Sequence, residues 1–188
     1  MENKPLAERL RPKTLDDYIG QQHLVGKGKV LRKMIESGVV SSFILWGPPG
    51  VGKTTLAMIV AEQLKRPFYV LSAVSSGVKD VREVIQKAES QRFFNTPNPI
   101  LFIDEINCVS ETLAPTMLQF LQCKTFGTHA IPEGWIIVAA GNPPEYNKSV
   151  REFDVVTLDR IKMIHVEPDY QVWFVMLKGH YDAIDMPG

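Results

Sequence analysis

Gly47-Pro-Pro-Gly-Val-Gly-Lys-Thr54 is the most informative segment of this 188-residue chain. It matches the pattern G-x-x-x-x-G-K-[S/T], in which glycines let backbone N–H groups approach phosphate oxygens closely. An apolar run at 43–46 precedes it and predicts a buried strand, and residues 54–64 after it have the composition of a helix. A helix that begins at such a loop attracts anions with its positive N-terminal end, so the segment predicts a phosphate-binding loop.

The loop positions have separate expected roles in binding ATP. Lys53 is expected to neutralise the β- and γ-phosphates and to assist catalysis, and the Thr54 hydroxyl is expected to ligate Mg²⁺. The alternative is a glycine-rich turn with a surface lysine, but the flanking strand and helix favour the phosphate loop. The expected nucleotide contacts come from Gly47, Pro48, Pro49, Gly50, Val51, Gly52, Lys53, Thr54 and Thr55.

Ile100-Leu-Phe-Ile-Asp-Glu105 is an apolar run that ends in two acids. In a nucleotide-hydrolysing protein the first acid, Asp104, is expected to hold the magnesium shell. The second, Glu105, is expected to orient and polarise the attacking water as a general base. Many buried strands end in an acid, so the pattern gains its weight from the phosphate loop already present.

Two further polar residues are candidates for the catalytic site. Asn142 follows the apolar run 135–140 and is expected to contact the γ-phosphate or the attacking water, although Asn before Pro is also a common turn residue. Arg160 precedes the run 162–166 and is expected to reach the γ-phosphate of a neighbouring subunit, with Arg151 as second candidate. The alternative for Arg160 is a surface or salt-bridged arginine.

Apolar runs alternate with helical patterns along the chain, which predicts an α/β fold with a parallel sheet covered on both faces. Ligands of such sheets gather at the carboxyl ends of the strands. Gly47, Asp104 and Asn142 each follow a predicted strand, so all three are expected at one edge. The strands are predicted at 43–46, 68–71, 100–103, 135–140 and 162–166, the helices at 30–39, 54–64, 78–90 and 113–121, and a hairpin at 124–132.

Composition favours a cytosolic protein without a membrane partner. No apolar run approaches the roughly 18 residues of a membrane helix, and the polar start carries no signal-peptide segment. Neither Cys108 and Cys123 nor His129 and His165 have metal-ligand spacing. Residues 1–90 hold 14 Lys/Arg against 9 Asp/Glu, and residues 91–188 hold 7 against 12. The preferred interpretation is an unevenly charged, solvated surface, and a basic front half that binds nucleic acid or an acidic neighbour is the alternative.

The first half of the chain, residues 5–106, resembles the RarA/MgsA branch of AAA+ proteins, which are relatives of clamp loaders. The resemblance is carried by Pro5-Leu-Ala-Glu-Arg-Leu-Arg-Pro at the start, by the phosphate loop, and by Ser72-Ala-Val-Ser-Ser-Gly. It implies a P-loop NTPase three-layer sandwich with strand order 5-1-4-3-2. It also implies Mg²⁺-dependent ATP hydrolysis, ring-forming homo-oligomers, and remodelling of DNA or protein complexes in replication and recombination. By the same resemblance Tyr18, Ile19 and Gly20 line the adenine pocket.

The second half, residues 98–173, is similar to the MoxR branch instead. Asp104-Glu-Ile-Asn107 and Gly141-Asn-Pro-Pro-Glu carry this similarity. The chain is therefore interpreted as a hybrid of two AAA+ branches joined within residues 88–100. Both branches share the ATPase core, so the ATP interpretation holds for either.

The expected domains are an adenine-side arm at 1–20, an ATP-binding core at 21–169, and a helix with a tail at 170–188. The last segment is too short for the helical lid of AAA+ proteins. An alternative function is therefore a nucleotide-binding module with little turnover. A P-loop kinase ranks lower, because the sequence offers neither an acceptor site nor a basic lid.

Overall fold

A five-stranded parallel sheet forms the centre of the computed structural model, which describes residues 11–91, 97–110, 113–126, 129–146 and 161–169. The chain order of strands is β1 (Phe43–Trp46), β2 (Phe68–Ser72), β3 (Ile100–Asp104), β4 (Thr125–Phe126), β5 (His129–Ala130), β6 (Ile136–Gly141) and β7 (Met163–His165). The sheet order is β2-β3-β6-β1-β7, and β4 and β5 pair separately as an antiparallel hairpin. When the five sheet strands are numbered along the chain, this is the predicted order 5-1-4-3-2, which is confirmed.

Helices cover both faces of the sheet, as predicted. They are α1 (Gln22–Val25), α2 (Val30–Glu36), α3 (Lys53–Gln63), α4 (Val78–Gln91) and α5 (Ala114–Cys123). Buried side chains of α2 and α3 belong to one apolar cluster, and those of α4 and α5 belong to a second. The protein is therefore a three-layer sandwich.

Alternation along the strands divides the core between these two clusters. In β3, Ile100 and Phe102 pack on the α3 side, whereas Leu101 and Ile103 pack on the α5 side. Successive side chains of a strand point to opposite faces, so a continuous apolar run is buried on both. All four residues are at most 1% exposed.

Part of the segment expected as an arm packs on the core. Leu15 and Tyr18 are 7% and 5% exposed and belong to the same apolar cluster as α3. Two short elements had no expectation from the sequence, namely α1 and a 3₁₀ turn at Pro144–Tyr146. The helix expected within residues 170–188 lies outside the described residues.

No helix within the described ranges has the length and apolar character needed to cross a membrane. Neither Cys108 nor Cys123 is part of a disulfide.

Replacing Gly47 by alanine tests how closely the start of the phosphate loop approaches the chain after β7. An ideal Cβ at Gly47 would lie 2.0 Å from the Val166 carbonyl oxygen, so the two segments must separate. We expect Gly47→Ala to lower the free energy of unfolding by about 1–3 kcal/mol, measured by urea denaturation. Gly77→Ala is the matched control, because its nearest neighbour would be the Asp80 carboxylate at 3.9 Å. Equal stability of the two variants would contradict the close approach.

Candidate nucleotide-binding site

Three adjacent strands bring the predicted site residues to one edge of the sheet. β1 ends before Gly47, β3 ends at Asp104, and β6 ends before Asn142. β6 lies between β1 and β3, and the Gly47 N–H donates to the Gly141 carbonyl at 3.2 Å. The carboxyl ends of parallel strands share one edge, so residues far apart in sequence become neighbours.

The loop between β1 and α3 has the backbone form of an anion cradle. Gly50 and Gly52 have φ values of 81° and 92°, which residues with a Cβ rarely adopt. Among the described residues, and leaving aside its two chain neighbours, Gly50 has no heavy atom within 4 Å of a Cβ built on it, so they leave this side of the loop open. The 11-residue helix α3 begins directly after Gly52 and adds its free N-terminal N–H groups. Pro49 and Gly50 are exposed, whereas Thr54 and Thr55 are half-buried at the helix start.

The ammonium group of Lys53 is buried at the centre of this edge. Its Nζ donates to the carbonyl oxygens of Gly47 at 2.6 Å and Pro48 at 2.7 Å, and to Asn142 Oδ1 at 2.9 Å. Burial lowers the pKa of Lys53 from 10.5 to about 8, and the negative charge of Asp104 partly opposes this shift. Lys53 therefore interacts both with Asn142, through a hydrogen bond, and with the negative charge of Asp104.

The two acids follow each other in a tight turn at the end of β3. Glu105 has φ 55°, and its N–H donates to Asp104 Oδ1 at 3.0 Å. A left-handed residue costs free energy when it is not glycine, so the turn at Glu105 is maintained by the structure around it. Asp104 is half-buried, whereas Glu105 is exposed to solvent.

The donor set suits Mg²⁺ bound together with phosphates. Within the described ranges no three His, Cys, Asp or Glu side chains group as a metal site. Mg²⁺ in nucleotide sites is commonly held by one or two carboxylates, with phosphate and water oxygens completing the shell. Asp104 at the end of β3 and the hydroxyl of Thr54 at the start of α3 are donors of this kind.

A buried residue that the sequence analysis missed, Asn107, joins the acidic turn to Asn142. Asn107 is 1% exposed, and its Nδ2 donates to the Asn142 carbonyl oxygen at 2.7 Å. The Asn142 N–H donates back to Asn107 Oδ1 at 3.1 Å. Its place three residues after Asp104, next to the apolar Ile106, is the signal that could have identified it.

The segment expected at the adenine lies against the phosphate loop. The hydroxyl of Tyr18 donates to the carbonyl oxygens of Val51 and Gly52 at 3.3 Å each. Ile19 is 54% exposed, and Gly20 is buried with φ 86°. The side-chain amide of Gln21 then bonds the backbone of Glu167 in both directions, which fixes this segment to the chain that follows β7.

His129 and His165, which were weighed as metal ligands from the sequence, contact an arginine and a histidine respectively. Arg160 and Arg151 lie outside the described residues. His129 is in the hairpin, where the Nε of Arg82 donates to its Nε2 at 2.7 Å. His165 ends β7, and its carbonyl oxygen lies 3.4 Å from His23 Nε2.

Comparison with known families agrees with this geometry. The model of the "ATPase family associated with various cellular activities (AAA)" matches residues 43–158, well over half of the chain. The chain belongs to the AAA family of ATPases. This match spans the phosphate loop, the acidic turn and Asn142.

Related proteins confirm the resemblance to RarA. Replication-associated recombination protein A of Coxiella burnetii is 50% identical over 121 residues, which are 64% of this chain and 27% of that protein. The protein of the same name from Escherichia coli K12 is 44% identical over 122 residues, 65% of this chain and 27% of its own length. The chain thus spans about a quarter of the length of these relatives.

Solved structures confirm the fold. The Thermotoga maritima RuvB Holliday junction branch migration motor superposes with a TM-score of 0.62 at 24% sequence identity, covering 94% of this chain and 55% of that one. The resemblance of residues 98–173 to MoxR remains a prediction from the sequence.

Because Tyr18 is buried, its phenol is expected to ionise at a higher pH in the folded protein than in the unfolded chain. Burial raises the pKa of Tyr18 from 10.0 to about 12. The unfolded chain therefore releases this proton first, and the free energy of unfolding falls as the pH rises between 10 and 12, by at most about 2–3 kcal/mol. Denaturation of wild type and Tyr18→Phe across this pH range measures the effect. The same pH slope in both proteins would show that Tyr18 is not buried.

Proposed function

We propose that this AAA ATPase binds ATP with Mg²⁺ and hydrolyses it to ADP and phosphate at the carboxyl edge of its sheet. The observation that carries the proposal is the contact of the Lys53 ammonium with Asn142 beside the acidic turn. A buried cation, an amide and two carboxylates at one glycine-rich cradle are suited to a triphosphate and its metal ion.

Binding starts with the backbone of the loop and the ammonium group. Phosphate oxygens accept hydrogen bonds from the N–H groups of the loop and of the first turn of α3. Lys53 exchanges its carbonyl partners, Gly47 and Pro48, for the β- and γ-phosphates. Tyr18, Ile19 and Gly20 form the adenine side, next to Val51 and Gly52. Thr54 and Asp104 would hold Mg²⁺, which would neutralise part of the negative charge of the phosphates.

Hydrolysis is assigned to Glu105 and Asn142. Glu105 accepts a proton from the attacking water, whose oxygen forms a bond to the γ-phosphorus. The bond from the γ-phosphorus to the bridging oxygen breaks, and ADP leaves with the electron pair. Asn142 directs its amide at the γ-phosphate or the water, and Lys53 stabilises the charge that develops.

The biological role that we propose comes from the named relatives. Two of them are replication-associated recombination proteins, and the front half of this chain is basic. We infer that ATP turnover is used to remodel DNA or protein complexes in replication or recombination. We also infer that copies of the chain assemble, with Arg160, or alternatively Arg151, completing the site of the neighbour.

Glu105→Gln tests the hydrolytic role. The amide cannot accept the proton, so we expect steady-state phosphate release to fall by about 100-fold or more while ATP still binds. Binding is measured by calorimetry and turnover by phosphate release. Glu133→Gln is the matched control, since Glu133 is an exposed acid that precedes β6, at the opposite end of the sheet. Unchanged turnover in Glu105→Gln would refute this assignment, and tight binding without release in wild type would indicate a nucleotide-binding module instead.

Dependence of turnover on protein concentration and on forked DNA tests the wider role. If an arginine acts between copies, turnover per chain rises with concentration and falls in Arg160→Ala. DNA that is a substrate partner raises turnover further, and the effect weakens with salt because phosphate contacts release counterions. A constant turnover per chain, with no response to DNA, would contradict both inferences.

A further inference from the structure

β3 and β6 separate at the catalytic edge, and one side chain bridges them there. Their backbones pair from Ile100↔Ile136 to Ile103↔Ala139, and Ile106 N–H still reaches the Ala140 carbonyl at 2.9 Å. The left-handed Glu105 turns the chain away between these contacts. Beyond them no backbone group of the turn bonds Asn142 within the described residues, and the side chain of Asn107 makes these two bonds instead.

The bridge is specific for a primary amide. One carboxamide offers a donor and an acceptor side by side, which matches the C=O and the N–H of one residue. Both partners are buried, Asn107 at 1% and Asn142 at 8% exposure, so losing the bridge would leave polar groups unpaired in the interior. Gly141 permits this approach, because a Cβ there would lie 3.1 Å from Asn107 Oδ1 and 2.5 Å from the Trp46 ring.

Asn107 lies between the two groups assigned to hydrolysis. It follows Glu105 by two residues in the same turn, and it holds the backbone of Asn142, whose Oδ1 accepts from Lys53. The side chain of Asn142 also bonds the thiol of Cys108, the next residue of that turn. The turn and the β6 end are therefore connected through Asn142 by backbone and by side chain.

We propose that Asn107 is a positioning residue that sets Asn142 and Lys53 relative to Glu105 during ATP hydrolysis. The proposal rests on the function proposed above and extends it to a residue that does not touch the nucleotide. A shift of about 1 Å in a reacting group lowers rates on the order of 100-fold, so a buried two-point bridge at this place controls turnover more than binding.

Asn107→Leu tests this, because leucine keeps the number and branching of the side-chain heavy atoms and removes both hydrogen bonds. We expect kcat to fall on the order of 10–100-fold while the KM for ATP and the calorimetric Kd change by less than about 3-fold. Asn107→His restores one donor at the same distance from the backbone and is expected to recover part of kcat. Asn107→Asp keeps the shape of the side chain but places an acceptor against the Asn142 carbonyl oxygen. It replaces the leucine variant in the same assays if that variant does not fold.

Arg66→Leu is the matched control for a purely structural effect. Arg66 Nη1 donates to the carbonyl oxygens of Asn98 at 3.1 Å and Gly134 at 3.0 Å, and so bridges the starts of the same two strands. These starts lie about 15–20 Å from the carboxyl ends, at about 3.3 Å per residue. The control is expected to lose stability as Asn107→Leu does, but to retain kcat.

A double-mutant cycle with Asn142→Ala decides whether Asn107 acts through Asn142. If it does, kcat of the double variant equals that of the slower single variant within about 3-fold. The proposal would be overturned if the reductions in kcat of the two single variants multiply in the double variant. It would also be overturned if Asn107→Leu folds and has the kcat of wild type. Wild type and Glu105→Gln are assayed alongside. If wild type turns over ATP, Glu105→Gln abolishes this turnover and Asn107→Leu does not, only the positioning role is refuted. If wild type shows no turnover, the proposed function is refuted and the positioning role with it.

Discussion

The buried ammonium of Lys53 is the constraint around which this end of the molecule is arranged. A charge with only 7% of its residue exposed is tolerated only if hydrogen-bond acceptors replace water. Two carbonyls of its own loop and the amide oxygen of Asn142 supply them. One ammonium group therefore connects the phosphate loop, the start of α3 and the end of β6. The phosphates of a nucleotide are alternative acceptors for its hydrogen bonds, and they carry more negative charge than the carbonyl and amide oxygens.

Side-chain hydrogen bonds connect neighbouring segments of the sheet in addition to the backbone hydrogen bonds between its strands. Arg66 bridges the starts of β3 and β6, and Asn107 bridges their ends. Gln21 repeats the two-way amide contact of Asn107, and ties the segment of Tyr18 to the backbone of Glu167 after β7. The amide side chains of Asn107 and Gln21 thus make the paired hydrogen bonds to backbone C=O and N–H groups that a neighbouring strand would otherwise make.

Much of the architecture followed from local patterns. The run Ile100-Leu-Phe-Ile has both faces buried, and its position between helical patterns is sufficient to predict a parallel strand. The glycines of the loop could be interpreted because a residue without Cβ readily adopts φ near 90°. The structure adds a second reason at Gly52, where a Cβ would meet the hydroxyl of Tyr18. Tyr18 itself was placed by family resemblance, since nothing in its local spacing signals burial against residues 33 positions away.

Local residue order was enough to identify a strand, a phosphate cradle, a helix and an acidic strand end, because each depends on neighbours within a few positions. Pairing between distant residues was not accessible in the same way. Asn107 and Asn142 are 35 positions apart, and Lys53 and Asn142 are 89 apart. Their contacts exist because β6 inserts between β1 and β3, and hydrogen bonds between buried amides become specific only once the sheet has fixed their distance and orientation.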